Sequence, residues 1–230
     1  MTEETKELLE VVLANRLFVY SLFHKIFGRD PDAQLMDIIC SETAGEAFAL
    51  ISENEDDILS RAAAFFNELK ADNAAPDFLD KLKSEYTRLF IGPVKLVAPP
   101  WESVYRGKEA MLFQECTLEV RRFYKSFGMI PEGYPHVADD SLALEMAFLS
   151  KLAERSVKAF ADGDTAELKK NLAASSDFLE EHLLIWIPKF LEKMKDAPTD
   201  FMYPQMCLIL DSFLKRDYDI LVEDLLPALD

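Results

Sequence analysis

The chain has 230 residues and a mass of 26.2 kDa; half of them are hydrophobic, and the formal net charge is −17. That length allows one well-buried domain or two small ones. The charge repels nucleic-acid backbones and anionic membranes and attracts basic peptides. Seven Gly and a preponderance of helix-forming residues argue against a β-rich protein or one built on Gly loops. Cys40, Cys116 and Cys207 are odd in number and dispersed, so they give no disulfide framework, and a reducing compartment is the simpler expectation. The start, M-T-E-E-T-K-E, lacks a signal-peptide pattern, and no apolar run approaches the ~20 residues of a membrane span. A cytoplasmic protein without stable membrane insertion is expected.

In chain order, apolar spacing of three and four predicts a first helix over 3–27, with Leu9, Leu13, Leu17, Tyr20, Phe23 and Phe27 on one stripe. Its width suits a central helix. Asp30 and Pro31 suit the start of a short helix reaching Cys40, and another spans Ala44–Leu50. The next opens near Asn54 or Glu55 and buries Ile58, Ala62, Phe65 or Phe66, and Leu69. Pro76 starts a helix that runs to Ile91. Helix returns over Glu109–Phe127, with Leu112, Cys116, Val120, Phe123 and Phe127 on one face and Gly128 after its end. Met129–Val137 is a loop. Asp139 or Asp140 caps a helix carrying Leu142, Met146, Leu149 and Leu152. Helices follow from Thr165, from Ser176 or Asp177 with a break near Pro188, from Pro198-Thr199-Asp200, and from Tyr218. No period-two alternation appears, which predicts an all-α fold of about ten helices.

The motifs of common chemistry are missing. His24, His136 and His182 have no ligand-spaced Cys or carboxylate beside them; there is no C-x-x-C or H-E-x-x-H. Neither phosphate-binding Gly loop occurs, nor does a G-x-S-x-G elbow. No catalytic residue, metal site or cofactor is expected. Two stretches stand out. From Tyr86 to Tyr105 the chain reads Y-T-R-L-F-I-G-P-V-K-L-V-A-P-P-W-E-S-V-Y, rich in Pro and large apolar groups where a connection is usually polar. It is either a stiff loop plugging its aromatics into the core or a recognition segment. The second, P-H-V-A-D-D at 135–140, places acids at a helix start, where they serve either the helix dipole or guanidinium donors.

E-Y-T-R-L-F-I-G-P, A-P-P-W-E-S-V-Y, L-E-V-R-R-F-Y-K-S-F-G, A-D-D-S-L-A-L-E-M-A-F-L and F-L-E-E-H-L-L-I-W-I-P-K-F occur in that order. Together they resemble the TorD/DmsD family of redox-enzyme maturation chaperones, within the TorD/DmsD/NarJ superfamily, over about Leu13 to Lys215. The resemblance implies a TorD-like all-α fold. We expect one compact domain over 1–230, with a sub-division into 1–91 and 108–230 about a hinge at 92–107 as the alternative. It implies a cytoplasmic chaperone, not an enzyme, that binds the twin-arginine signal peptide and apo catalytic subunit of a molybdopterin oxidoreductase, assists cofactor insertion and prevents premature export. Carried over by position, the peptide-binding residues are Tyr20, Leu89, Phe90, Pro100, Trp101, Ser103, Tyr105, Asp139 and Asp140. The family pattern has Asp-His where this chain has Asp139-Asp140, which makes the site more acidic and removes a group that titrates near neutrality. His182, Trp186 and Pro188 match a further block and are read as mainly structural. On this reading Leu89, Phe90, Trp101 and Tyr105 line an apolar groove, while Glu102, Asp139 and Asp140 meet the arginines. The chain is expected as a monomer or a domain-swapped homodimer. The alternatives are a nucleotide-dependent, GTP-binding maturation factor, for which no loop is visible, and a generic helical interaction or dimerisation scaffold.

Overall fold

The computed structural model describes residues 3–54, 57–93, 95–107, 111–131, 137–199 and 201–229. Among them the regular structure is helical: α1 (Glu3–Gly28), α2 (Ala33–Ile39), α3 (Glu42–Ala49), α4 (Ile58–Asp72), α5 (Phe78–Tyr86), α6 (Ser103–Arg106), α7 (Glu115–Ser126), α8 (Leu142–Ala161), α9 (Thr165–Phe178), α10 (Leu184–Met194) and α11 (Tyr203–Asp219). Wide π turns extend three of them, at Thr87–Ile91, Leu179–Leu183 and Ile220–Leu225. The only extended pairing among the described residues is one antiparallel bridge, Trp101 with Ser141.

Local chemistry sets most helix ends. The side chains of Asp32, Ser41, Asp57, Ser141 and Asp164 each accept a hydrogen bond from a first-turn backbone N–H. After α7, Gly128 takes φ +67; its N–H donates to the Lys125 carbonyl at 2.9 Å, and the Met129 N–H donates to the Tyr124 carbonyl at 2.9 Å. That pair of bonds is the Schellman ending, which needs the left-handed residue.

Several boundaries differ from expectation. Helix α7 starts at Glu115, not Glu109, because Gln114 and Thr117 cap it reciprocally; Leu112 is exposed and outside the stripe. Ser141, not Asp139 or Asp140, caps α8. In α4 the buried face starts at Leu59, and Ile58 is exposed. No break falls at Pro188: it lies inside α10, and the run from Thr165 is continuous through the Leu179–Leu183 π turn. The Cys116 thiol is buried in the α7 stripe as expected. His136, Glu109 and Asp200 lie outside the described residues.

One continuous hydrophobic core draws on every segment from α1 to the last π turn. Helices α1 and α8 pack along their length, joined by a 2.8 Å bond between the Ser21 and Ser150 hydroxyls. His24 Nδ1 lies 2.8 Å from the Ala143 carbonyl; a carbonyl only accepts, so Nδ1 carries the proton. Helix α11 crosses α1 at a fully buried cluster. Arg16 Nε donates to Asp217 at 2.7 Å, Arg16 Nη2 donates to its other oxygen at 3.1 Å, and the Tyr20 hydroxyl donates to that same oxygen.

Candidate functional site

The Pro-rich connection returns to the body of the protein beside the start of α8. Backbone groups hold it there: the Glu102 N–H donates to the Asp140 carbonyl and the Leu142 N–H to the Pro100 carbonyl, each at 3.0 Å. The second bond satisfies a first-turn donor of α8 that no helix can satisfy internally. The Ser103 N–H donates to Asp140 Oδ2 at 2.7 Å, so Asp140 anchors α6. Thus P-P-W-E-S-V-Y and A-D-D-S, far apart in sequence, form one structure.

Around this seam lies a buried knot of charged side chains. Arg121 Nε and Nη2 donate to Asp139 Oδ2 at 3.0 and 2.6 Å, while the Tyr124 hydroxyl donates to the Asp139 carbonyl at 3.0 Å. Glu102 accepts from Arg106 and, at 3.0 Å, from His182 Nδ1. Arg106 also donates to the Glu181 carbonyl at 2.9 Å. Trp186 Nε1 donates to Glu145 Oε2 at 3.1 Å. Burial pushes the Glu145 carboxyl well above the usual carboxylate range, and the charges of Glu102 and Asp140 push the same way. Burial likewise lifts the Cys116 thiol to about 11, so it is no nucleophile near neutral pH. Tyr105 stacks on Trp186 with centroids 5.5 Å apart, and Lys193 Nζ lies 5.0 Å from the Tyr105 ring centroid.

The nine nominated residues divide into three groups. Asp139, Asp140 and Ser103 join the knot and are buried; Asp139 and Asp140 are 0% exposed. With Glu102 they form no open acidic patch, because Arg121 and Arg106 already cover two of the three carboxylates. Pro100, Trp101 and Tyr105 are half-buried at its edge. Tyr20, Leu89 and Phe90 are core residues: Tyr20 is held by Asp217, and Phe90 packs edge-on to Phe27 and Tyr203. Leu89 and Phe90 therefore line no surface groove here. Sequence reasoning missed Arg106, Arg121 and Glu145. The four-residue step from Glu102 to Arg106 was a visible helical ion-pair signal; the other two carried none.

Five buried side-chain oxygens of the knot have no hydrogen-bond partner among the described residues: Ser103 Oγ, the Tyr105 hydroxyl, Asp139 Oδ1, Asp140 Oδ1 and Glu145 Oε1. Buried polar atoms are normally paired, so this concentration sets the knot apart; its two Asp oxygens are acceptors without a donor. No group of three potential metal ligands occurs among the described residues, and no described helix is long and apolar enough to cross a membrane.

The family described as nitrate reductase delta subunit matches residues 52–192. The chain belongs to the TorD/DmsD family of redox-enzyme maturation chaperones. It is 25% identical over 205 residues to the chaperone protein TorD of Vibrio parahaemolyticus, covering 88% of this chain and 92% of that protein. It is 31% identical over 117 residues to the Tat proofreading chaperone DmsD of Salmonella typhi, covering 51% of this chain and 50% of that protein. A crystal structure described as a candidate redox enzyme maturation protein from Archaeoglobus fulgidus matches over 90% of this chain and 94% of that one, at 18% identity and a TM-score of 0.43, too loosely to argue from. The family is one of chaperones, not of enzymes.

Proposed function

We propose that this chaperone captures the twin-arginine leader of the apo catalytic subunit of a molybdopterin oxidoreductase, in the cytoplasm, and holds it until the cofactor is inserted. The observation that carries the reading is the pairing of donor-less carboxylate oxygens on Asp139 and Asp140 with half-buried aromatics at Trp101 and Tyr105. A leader of this class has two guanidinium groups followed by an apolar body. The apolar body lies against Pro100, Trp101 and Tyr105. One guanidinium group takes the place of Arg121 on Asp139 and the other meets the unpaired oxygen of Asp140, so that no buried charge is left bare. Asp140 and Ser103 hold the seam in register, while Leu89, Phe90 and Tyr20 support it from the core. The name of the Salmonella typhi relative, a Tat proofreading chaperone, agrees with this. The net charge of −17 speeds encounter with a basic leader and makes it sensitive to salt.

Calorimetry with twin-arginine leader peptides tests it. The expected result is binding that weakens at least tenfold when both arginines become Gln, weakens with salt, and falls at least tenfold in Trp101→Ala while thermal stability is kept. Failure of every molybdoenzyme leader to bind overturns the reading.

A further inference from the structure

Part of the α8 surface stays uncovered between its helical neighbours. Leu144, Ala147, Phe148, Lys151, Arg155 and Lys158, spaced three and four apart, line an open groove of about 940 Å³ that continues to Ala161. From Leu144 to Ala161 that face runs about 26 Å at 1.5 Å per residue. Leu17 and His24 of α1 form one wall, and Gly128–Pro131 form the other. The Schellman ending of α7 builds that second wall: it turns the chain so that Met129 is half-buried over the groove and Ile130 stands 70% exposed. A smaller hollow lined by Arg121, Lys125 and Asp139 shares Tyr124 and Met129–Pro131 and extends the groove toward the knot.

The charge of this groove is opposite to that of the chain. Its lining has five cations, Arg121, Lys125, Lys151, Arg155 and Lys158, and two carboxylates, Asp139 and Glu154. The remainder of the chain is strongly negative. Arg121 is taken by Asp139 and Lys151 by Glu154. The side chains of Arg155 and Lys158 have no hydrogen bond or ion pair among the described residues. An apolar floor one helix face long, with free cations along its rim, complements an apolar helix face flanked by carboxylates. It opposes the basic head of a twin-arginine leader.

We propose that this groove is a second docking site, which takes an acidic amphipathic helix of a protein partner. The site goes beyond leader capture and borders the leader's carboxylates. Helix-in-groove binding uses apolar anchors at the same three-and-four spacing as the α8 floor, with Glu or Asp of the incoming helix meeting Arg155 and Lys158. The groove lies against the knot through Tyr124 and Asp139, so both sites face the same stretch of surface.

The test uses the full chain and a synthetic helical peptide of about sixteen residues, roughly 24 Å long, with Leu at helical spacing on one face and Glu beside it. A twin peptide has Lys for every Glu. Fluorescence anisotropy is expected to show binding of the Glu peptide at least tenfold tighter than the Lys peptide. It is expected to weaken at least tenfold in Arg155→Glu/Lys158→Glu and severalfold in Ile130→Ser, while binding of a twin-arginine leader is weakened by neither variant. These substitutions are at the surface, and circular dichroism checks that the fold is kept. Equal binding of the two peptides overturns the proposal, as does indifference to Arg155→Glu/Lys158→Glu. Concentration-dependent dimerisation lost in that variant also overturns it, since the occupant is then a second copy of the chain. Displacement of nothing but a fatty carboxylate assigns the groove to a small amphiphile and overturns it too.

Discussion

Arg121 places two N–H groups on one oxygen of Asp139, at 3.0 and 2.6 Å, and the other oxygen of that buried carboxylate has no donor among the described residues. The carboxylate is satisfied on one oxygen and unsatisfied on the other. Removing the cation leaves a buried charge, which is worse than removing both partners. Arg121→Gln is expected to cost about 2–4 kcal/mol in urea unfolding, and adding Asp139→Asn to recover part of that loss. If the two single costs simply add, the pair is not coupled as described. The exchange reading of leader capture adds a second expectation: Arg121→Gln removes an internal competitor, so leader affinity rises severalfold rather than falling.

The Tyr20–Asp217–Arg16 cluster fastens α1 to α11 inside the core and touches nothing at the surface. Tyr20→Phe removes one hydrogen bond to a charged acceptor, an expected loss of about 2 kcal/mol. Asp217→Asn strands a buried guanidinium and is expected to cost about 3–5 kcal/mol. Chemical denaturation measures both. Leader affinity, measured well below the unfolding midpoint, is expected to stay within twofold of wild type in Tyr20→Phe; a larger loss would move Tyr20 back into the binding site.

Glu145 gives the protein a pH dependence with a definite sign. Its folded pKa is raised, chiefly by burial and then by Glu102 and Asp140. The folded state therefore holds a proton that the unfolded state releases above about pH 4.5. Stability from this group is present in full below that value and is lost as pH rises toward the folded pKa. Glu145→Gln keeps an acceptor for Trp186 Nε1 and cannot ionise. The melting temperature of the variant is expected to fall less between pH 5 and pH 8 than that of wild type, with the gap widening in favour of the variant at the upper end. Parallel pH profiles for the two proteins would show that Glu145 is not the titrating group.

Gly45 lies where α3 meets α4. A Cβ built there would stand 2.8 Å from the Ala63 Cβ and 3.2 Å from its Cα. Helix propensity favours Ala at this position by about 1 kcal/mol. Overpacking against a backbone atom outweighs it, at about 1–3 kcal/mol. Gly45→Ala is thus expected to lower the unfolding free energy, and Ala63→Gly in the same chain to restore part of it.

Helix periodicity, turn chemistry and the absence of catalytic motifs were legible residue by residue. The stripe of α1, the buried Cys116, the stop at Gly128 and the all-α class all follow from spacing and from φ preferences, which are properties of a few neighbouring residues. The errors were local too. Gln114 and Thr117 cap α7 six residues later than its apolar spacing suggests, and Pro188 sits inside α10, five residues after the widened turn at 179–183, without breaking it.

What the sequence by itself determined is therefore the set of helices, the net charge and the blocks that identify the family. Only the tertiary structure decided what each charge does. A carboxylate reads the same in a sequence whether water, a ligand or an arginine meets it. Asp139 looked like an open acceptor and is held by an arginine 18 residues away; Glu102 is held by a histidine 80 residues away, and Arg16 by an aspartate 201 residues away. The same holds in reverse for the cations of α8. Lys151, Arg155 and Lys158 carry no mark in the sequence, and only the packing of α1 and the turn after α7 on either side makes their face a groove. Partnership in the knot is mostly long-range, set by which helices meet; the four-residue step from Glu102 to Arg106 is the part of it that a local pattern encodes.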